Sequence, residues 1–416
     1  MVSCRGFQYG DSSIPSSRSR APPVNAWYTP PVAGLHFALS DEQRALRAEA
    51  RALASEVLAP IAAAGDPGRV NRPLVQALAS NGLLPRLFPE HAGGSAPGDI
   101  SAIEVCLLRE GLAQASTEAE TALAMQGIGA YPILQSGSED LVTRWVPAVA
   151  RGEAVAAFAL SEPEHGSDAG AIELRAEREG GQYRLTGVKT WISNAPDADV
   201  YVLFARTTPG AKARGVTAFV LPGDVAGLSG TPLELLSPHP IGRLELDGVK
   251  VPADHVLGEV DQGFRVAMAT LDLFRPSVGA FVVGMAQAAL DAALAHAASR
   301  EAFGKPLREF QAVSHLLAEM ATRTEAARLM VYAAAAAYDG GAPDITRSSA
   351  MAKLFATETA QFVVDSAVQI HGAAALERGH PLEHLYREVR APRIYEGTTE
   401  IQREVIARDL YRPLEA

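Results

Sequence analysis

The sequence predicts an α+β multidomain protein in which a β-barrel domain lies between two helical domains. Helix-period apolar patterns fill the chain to about residue 154, and short alternating segments with turn residues between them follow to about residue 262. Long Ala-rich amphipathic segments occupy the rest. We therefore predict a disordered tail (1–35), an N-terminal α-helical domain (36–154), a middle β-domain (155–262) and a C-terminal four-helix bundle (263–416).

Composition and charge limit the function. The 416 residues are 48% apolar and 20% charged, which is typical of a soluble globular protein. The net charge of -11 disfavours binding to nucleic acid or to an anionic membrane. Cys4 and Cys106 are too few for a disulfide framework or a metal knuckle, and no apolar run reaches the roughly 20 residues of a membrane span. We expect no metal site.

The first 34 or so residues are rich in Ser, Pro and Arg and have no hydrophobic period, so we expect a disordered tail. Arg5, Arg18 and Arg20 have Ser neighbours, which leaves a mitochondrial transit peptide open. The tail lacks an amphipathic pattern, however, and a cytoplasmic protein with a plain tail is the simpler interpretation.

Order is predicted to begin at a capping box formed by Ser40 and Gln43. We expect Pro60 to end the first helix, because proline lacks the N–H that a helix interior requires. Further helices are predicted at residues 74–84 and, opened by Asp99, at residues 100–112.

Alternating apolar residues predict the strands of the middle domain. A hairpin is expected around Gly180-Gly181, and further strands at residues 200–205, 216–221 and 243–247. In the bundle, long amphipathic helices are predicted at residues 282–299, 310–338 and 348–370.

Glu396 is the strongest candidate for chemistry. It lies between Tyr395 and Gly397, and a carboxylate beside glycine can be held on a turn. If that turn closes over an apolar pocket, desolvation raises the pKa of the carboxyl and makes it a useful general base. The alternative is a solvated Glu before a terminal helix at residues 400–410.

Two further segments combine glycine, hydroxyl residues and aromatic rings. In residues 158–168 and 189–194, small residues let the backbone approach a planar or phosphorylated ligand, and Trp191 could lie along an aromatic ring system. The alternative is a polar turn with a core Trp. In residues 300–306 and 369–372, an Arg at a helix end suits a pyrophosphate, although these could be ordinary caps and surface charges.

Together these segments resemble the acyl-CoA dehydrogenase family over about residues 39 to 412. The stretch from Leu160 to Asp168 and the stretch from Tyr395 to Thr398 are similar to two characteristic regions of that family. A third, weaker resemblance lies at residues 300–304. The resemblance implies a helical domain, a β-domain and a four-helix bundle, with FAD bound partly across the subunit interface of a homotetramer.

The same resemblance implies the site residues. It makes Glu396 the catalytic base and implies that Ser167, Asp272, Arg275 and Gly397 contact the CoA thioester. The implied FAD contacts are Phe158, Leu160, Ser161, Gly166, Ser167, Trp191, Ile192, Ser193, Arg300, Phe303, Gln311, Gln369, Ile370, Gly372, Ala373, Thr398 and Glu400.

The implied reaction is α,β-dehydrogenation of an acyl-CoA. Glu396 would remove the α-proton while the β-hydrogen leaves as hydride to flavin N5, giving a trans-2-enoyl-CoA. Electrons would then pass to an electron-transfer flavoprotein. The chain departs from the family pattern at residues 373–376, where Ala-Ala-Ala-Leu replaces a glycine-rich loop, and at residues 237–242.

Three alternatives stay open at the level of sequence. The same fold could serve an acyl-CoA oxidase that uses O2, or a scaffold that keeps FAD without catalysis. The third is a zinc peptidase using His380, Glu383 and His384, whose spacing matches an inverted zinc motif. Pro381 disfavours the last, because it places His380 in the turn before the helix.

Overall fold

The computed structural model of the protein describes residues 39–343 and 345–415. It confirms the predicted fold class, with helices first, then a sheet, then long helices. The predicted tail lies outside the described residues. The N-terminal part contains α1 (Asp41–Leu53), α2 (Ala59–Ala63), α3 (Arg72–Ser80), α4 (Ala102–Ala113), α5 (Thr117–Ser136) and α6 (Glu139–Ala150).

The start of α1 confirms the capping box formed by Ser40 and Gln43. The prediction that Pro60 ends the helix is wrong. A π-helical turn (Ala54–Leu58) follows α1, and α2 then holds Pro60 in its first turn. Proline is tolerated there because first-turn N–H groups have no partner within the helix. α3 ends at Ser80 rather than residue 84.

The start of α4 also differs from the prediction, since Ser101 and not Asp99 caps the helix. Ser101 Oγ accepts the N–H of Glu104 at 3.3 Å. The carboxylate of Asp339, from the distant C-terminal domain, accepts the N–H of Ala102 at 2.6 Å. This second cap is a tertiary contact, which helical periodicity does not show.

The middle part is one eight-stranded mixed sheet. Its strands are β1 (Ala156–Ala159), β2 (Arg175–Glu179), β3 (Gln182–Ser193), β4 (Val200–Arg206), β5 (Val216–Pro222), β6 (Leu228–Pro232), β7 (Ile241–Pro252) and β8 (Val256–Leu257). They follow the order β6-β7-β3-β2-β4-β5-β8, and β1 pairs in parallel with β4. The predicted hairpin is confirmed as β2 and β3, and the three other predicted strands as β4, β5 and part of β7.

Four long helices form the C-terminal bundle, and a shorter one precedes the last. They are α7 (Gly263–Ser299), α8 (Gln311–Asp339), α9 (Ile345–His371), α10 (Pro381–Glu388) and α11 (Thr399–Glu415). A small hairpin of β9 (Glu301–Ala302) and β10 (Lys305–Pro306) joins α7 to α8. By length and composition α7 could cross a membrane, but 67% of its most apolar window is buried in the protein, as in a core helix.

Two glycines let helix α5 pack closely against both the sheet and the bundle. A Cβ on Gly129 would lie 2.8 Å from Ala156 of β1, and one on Gly127 would lie 2.8 Å from the Phe274 ring of α7. Both approaches are too close for any side chain. The glycines therefore fix the distance between the sheet and the bundle, and with it the relative placement of the residues described next.

Candidate active site

Glu396 lies on a tight turn between a 3₁₀ turn (Ala391–Arg393) and α11. Its φ is 51° and that of Gly397 is 87°, so two successive residues have left-handed backbone. Lys353 Nζ of α9 donates to the carbonyls of Tyr395 at 3.0 Å and Gly397 at 2.7 Å. Gln402 Nε2 of α11 donates to the carbonyls of Glu396 and Gly397, each at 3.0 Å. The predicted turn is thus present and held from two sides.

Glu396 is half-buried, and its carboxylate lies within electrostatic reach of three cations. Its Oε2 is buried and has no hydrogen-bond partner among the described residues. Burial raises the pKa of Glu396, and the opposing charges of Arg109, Arg275 and Lys353 lower it. The sequence is compatible with an apolar pocket around this carboxylate, whereas the structure also places positive charges there. Desolvation is still the largest effect, so the pKa stays above its ordinary value.

A buried ion pair lies beside this carboxylate. Arg109 Nε of α4 donates to Glu120 of α5, and Arg109 Nη1 donates to Ser277 Oγ of α7 at 2.7 Å. Both charged side chains are almost fully buried. The charge of Glu396 helps to raise the pKa of Arg109. Three helices thus place a polar cluster next to the candidate base.

Asp272 and Arg275, predicted to contact the thioester, form an ion pair on α7 with Arg275 Nη1 3.2 Å from Asp272 Oδ1. Arg275 Nε is buried and has no hydrogen-bond partner among the described residues. The guanidinium influences the pKa of Glu396, so it lies on the same side of the bundle. This pair, Gly397 and Glu396 form one cluster.

A second cluster lies where β1 ends beside β3. Lys189 Nζ, fully buried, donates to the carbonyl of Leu160 and to Glu162 Oε1, each at 2.8 Å. The N–H of Thr190 donates to the carbonyl of Ser161 at 3.0 Å. Burial lowers the pKa of Lys189 to about 8 despite its carboxylate partner. These bonds fix the segment after β1 to β3.

The predicted cofactor residues of this cluster differ in exposure. Gly166 and Ser167 lie in an exposed loop, and Phe158 packs on Phe204 with ring centroids 4.9 Å apart. The side chain of Ile192 is buried in the core of the sheet domain, so any contact it makes with a cofactor is through its backbone. Leu160 is also largely buried.

Trp191 is exposed, so the alternative of a core Trp is wrong. It is 55% exposed and has a φ of 59°, in a stretch where the register of β3 against β7 shifts between Lys189 and Ile192. Its neighbour Ser193 shares a hydrogen bond of 2.9 Å with His239 Nε2. His239 comes from the segment at 237–242 that departs from the family pattern.

A third cluster gathers at one end of the bundle. The rings of His296 in α7 and His371 in α9 stack with centroids 4.2 Å apart, which brings Arg300 and Gly372 to the same end. Gly372 has a φ of 64°, and a Cβ there would meet nothing within 4 Å. Ala373 has no left-handed backbone and fits without strain. Exposed predicted residues here are Arg300, Phe303, Gln311, Gln369, Gly372 and Ala373, with Ile370 half-buried.

Thr398 and Glu400 lie at the start of α11. Thr398 Oγ1 accepts the N–H of Ile401 at 3.3 Å, and Glu400 is exposed in the first turn. The predicted residues therefore form three clusters, at the Glu396 turn, beside β3 and at the bundle end. Each cluster combines buried polar groups or half-buried side chains with exposed residues such as Glu400, Ser167 and Arg300.

Sequence reasoning missed five residues that the structure places in or beside the site. Lys353 and Gln402 hold the turn, Arg109 and Glu120 form the buried pair, and His239 contacts Ser193. A signal for Lys353 was available, since it is a lone charge among alanines on a buried face of α9. The other four carry no comparable signal. The contacts of Arg109 with Ser277 and of His239 with Ser193 are distant in sequence, and Gln402, although it is close in sequence to the carbonyls it binds, resembles an ordinary polar residue of a terminal helix.

The structure does not support the zinc alternative. His380 is the N-cap of α10 and accepts the N–H of Leu382, as Pro381 predicted. Glu383 pairs with Arg387, and His384 Nε2 lies 2.6 Å from Thr117 Oγ1. No group of three or more potential ligands among the described residues could hold a metal ion.

The exposed residues fit a large, flat, anionic cofactor such as FAD. The Trp191 ring and the 96% exposed Phe303 ring are apolar surfaces that a planar ligand would cover. Both residues have left-handed backbone, which is disfavoured for side chains of this size. Open space around Gly166 and Gly372 allows a phosphate to approach the backbone. The fold and site define a flavin-dependent oxidoreductase.

Comparisons with known proteins agree with this class. The acyl-CoA dehydrogenase N-terminal, middle and C-terminal domains match residues 40–153, 157–249 and 261–411. The probable acyl-CoA dehydrogenase FadE25 of Mycobacterium tuberculosis is 38% identical over 380 residues, covering 90% of this chain and 97% of that protein.

Solved structures give the same result. Butyryl-CoA dehydrogenase from Megasphaera elsdenii has a TM-score of 0.86 at 34% identity, covering 91% of this chain and 100% of that one. The FAD complex of PigA has a TM-score of 0.85 at 28% identity, covering 92% and 100%. The chain belongs to the acyl-CoA dehydrogenase family. It is an FAD-dependent oxidoreductase that dehydrogenates acyl-CoA thioesters.

Proposed function

We propose that Glu396 is the base that removes the α-proton of the acyl-CoA. The observation that carries this proposal is the buried, unpaired Oε2 on a turn held in left-handed backbone. A desolvated carboxylate is a stronger base than an exposed one. Flavin, when bound, supplies the acceptor for the hydride that leaves the β-carbon.

Positive charge around the turn favours the ionised form of the base. Burial alone favours the protonated form, which cannot accept a proton. Arg109, Arg275 and Lys353 oppose that effect by stabilising the carboxylate. The base is therefore tuned by two opposing contributions, desolvation and nearby positive charge.

The two other clusters are proposed to hold the cofactor. Trp191 and the backbone around Ser161 and Ser193 would lie against the flavin, and Arg300 and Gly372 would approach the pyrophosphate. The exposure of Phe303 on the β9–β10 hairpin supports a contact made in an oligomer, and we propose a homotetramer. We further propose a cytoplasmic location, in keeping with the sequence interpretation.

The electron acceptor is proposed to be an electron-transfer flavoprotein, on the strength of the family resemblance. Reduced enzyme should transfer electrons to such a partner and should form hydrogen peroxide only slowly under air. Rapid peroxide formation, measured with a peroxidase-coupled assay, would favour an oxidase instead.

The test of Glu396 is its replacement by Gln, which keeps the shape and removes the base. We expect Glu396→Gln to bind FAD and an acyl-CoA and to lower the rate of flavin reduction by at least about 10²–10⁴-fold, the usual contribution of a general base. The measurement is anaerobic bleaching of the flavin with a panel of straight and branched acyl-CoAs. Wild-type rates in this variant would eliminate the assignment.

A further inference from the structure

Two side chains that are not proposed to contact substrate or cofactor converge on the Glu396 turn. Lys353 and Gln402, both fully buried, donate four hydrogen bonds to the carbonyls of residues 395, 396 and 397. Gly397 accepts from both donors. Three consecutive carbonyls of one turn are thus bound by side chains of two different helices, α9 and α11.

The turn needs this support because its backbone is unfavourable. Glu396 has a φ of 51°, in the left-handed region. In that region the Cβ of a residue comes too close to the carbonyl oxygen that follows it. Such a conformation persists only where the surrounding structure enforces it. The Gln402 amide also lies where a side chain on Gly397 would go, 2.5 Å from a built Cβ. Gly397 and Gln402 therefore fit each other.

We propose that Lys353 and Gln402 are positioning residues for the base, Gln402 through geometry alone and Lys353 through both geometry and charge. This inference rests on the proposed role of Glu396. Lys353, bonded to the carbonyls on either side of Glu396, contributes a cation near the carboxylate, whereas the neutral Gln402 amide contributes none.

Charged groups from four helices lie around the turn. Glu396 faces Arg109 of α4, Arg275 of α7 and Lys353 of α9, each of which lowers its pKa. Glu120 of α5 is also close enough for its pKa to be raised by Glu396. The charges that act on Lys353 in turn are those of Arg275, Glu358, Glu396 and Glu400.

Lys353 carries its charge in neutral solution. Burial lowers the pKa of Lys353 to about 8, and Glu396 is the largest of the influences that favour the ammonium. Below that pH the cation stabilises the Glu396 carboxylate. Removing the cation should therefore raise the pKa of Glu396, and removing the Gln402 amide should leave it unchanged.

The experiment compares Lys353→Met, Gln402→Met and a control in the FAD-loaded enzyme. The control is Thr324→Val, because Thr324 is also buried in the bundle but its hydroxyl bonds only to Met320 of its own helix, at 2.8 Å. The rate of anaerobic flavin reduction is measured from pH 5.5 to about 8, with butyryl-CoA or whichever acyl-CoA of the panel reduces the wild type fastest.

We expect both variants of the turn to lower the maximal rate by at least about 10-fold, since small misplacements of a catalytic group can cost up to about 10²-fold. Lys353→Met should also move the acidic limb of the pH profile upward by about one unit, the effect of losing one nearby opposite charge. Gln402→Met and Thr324→Val should leave that limb in place. Lys353→Arg keeps the charge but not the shape of lysine, so it should restore the acidic limb of the pH profile more fully than the maximal rate of flavin reduction.

Two outcomes would overturn the inference. One is a wild-type rate in both variants of the turn, and the other is an identical acidic limb in Lys353→Met and Gln402→Met. Should Lys353→Met fail to bind FAD, Lys353→Gln, which keeps a hydrogen-bond donor and removes the charge, supplies the same comparison with Gln402→Met. The base assignment is tested separately: an active Glu396→Gln enzyme refutes the proposed function, whereas an inactive one with an unaffected Lys353→Met enzyme refutes only this inference.

Discussion

At the scale of single residues, buried charge is the main feature of the site. Arg109 and Glu120 are held inside the protein by each other and by Ser277. Taking two charges out of water is costly, and their attraction offsets that cost only while both partners are present. Burial raises the pKa of Glu120, which shows that desolvation outweighs the attraction of Arg109 on that carboxyl.

Removing one partner should therefore be strongly destabilising. We expect Arg109→Met to lower the free energy of unfolding by about 3–5 kcal/mol, because Glu120 is left buried and unpaired. The control is Arg151→Met, which breaks an exposed pair with Glu153 and should change the free energy of unfolding far less, because water screens that pair. Urea unfolding of both variants measures the difference, and equal losses would contradict this account.

At the scale of elements, the segment at 237–242 changes the surroundings of β3. The ring of His239 reaches Ser193 at the end of that strand, and burial lowers the pKa of His239 to about 4. The imidazole is consequently neutral at physiological pH. Nothing in the sequence of this segment indicates that its histidine would be paired with a strand residue some 46 positions away.

Burial of a neutral histidine predicts a direction for stability against pH. The unfolded chain takes up a proton at His239 near the ordinary value of about 6.5, and the folded protein does so only near 4. The contribution of His239 to the free energy of unfolding is thus fully present above pH 6.5. It is lost as the pH falls towards 4, by at most about 1.4 kcal/mol for each pH unit. His239→Gln should show a shallower loss of Tm between pH 7 and pH 5, and an unchanged slope would argue against it.

At the scale of the whole molecule, apolar surface remains exposed at the bundle end. Phe303 is 96% exposed at the tip of the β9–β10 hairpin, where its φ is 50°. An aromatic ring offers a large apolar surface whose burial against another subunit or a planar ligand is favourable. The proposed tetramer and the proposed cofactor contact would both cover this ring.

Replacing Phe303 by Ala should leave the fold of the single chain intact, because the ring is not part of the core. We expect weaker assembly and at least about 10-fold weaker FAD retention, measured by light scattering and by flavin release on dilution. Val260→Ala, at another exposed apolar residue outside the three clusters, serves as the control. Unchanged assembly and flavin retention in Phe303→Ala would contradict the proposed interface.

Local patterns in the sequence determined the secondary structure, the domain order and the turn at Glu396. These features depend on neighbours in the chain: the period of apolar residues, the Ser40 cap, and the glycine after the glutamate. Two failed predictions have an evident structural cause. At Pro60, a π-helical turn precedes the proline and the helix continues. At the start of α4, a carboxylate from a distant helix supplies a cap.

Only the tertiary structure decided how the candidate base is held and charged. Arg109, Lys353 and Gln402 come from three helices. Lys353 and Gln402 bond to the turn, and Arg109 and Lys353 stabilise the Glu396 carboxylate, so both effects depend on how those helices pack. The pKa of a carboxyl is fixed by its desolvation and by the charges around it in space. Separation along the chain carries no information about either quantity, so the sequence identified the carboxylate while the fold determined its chemistry.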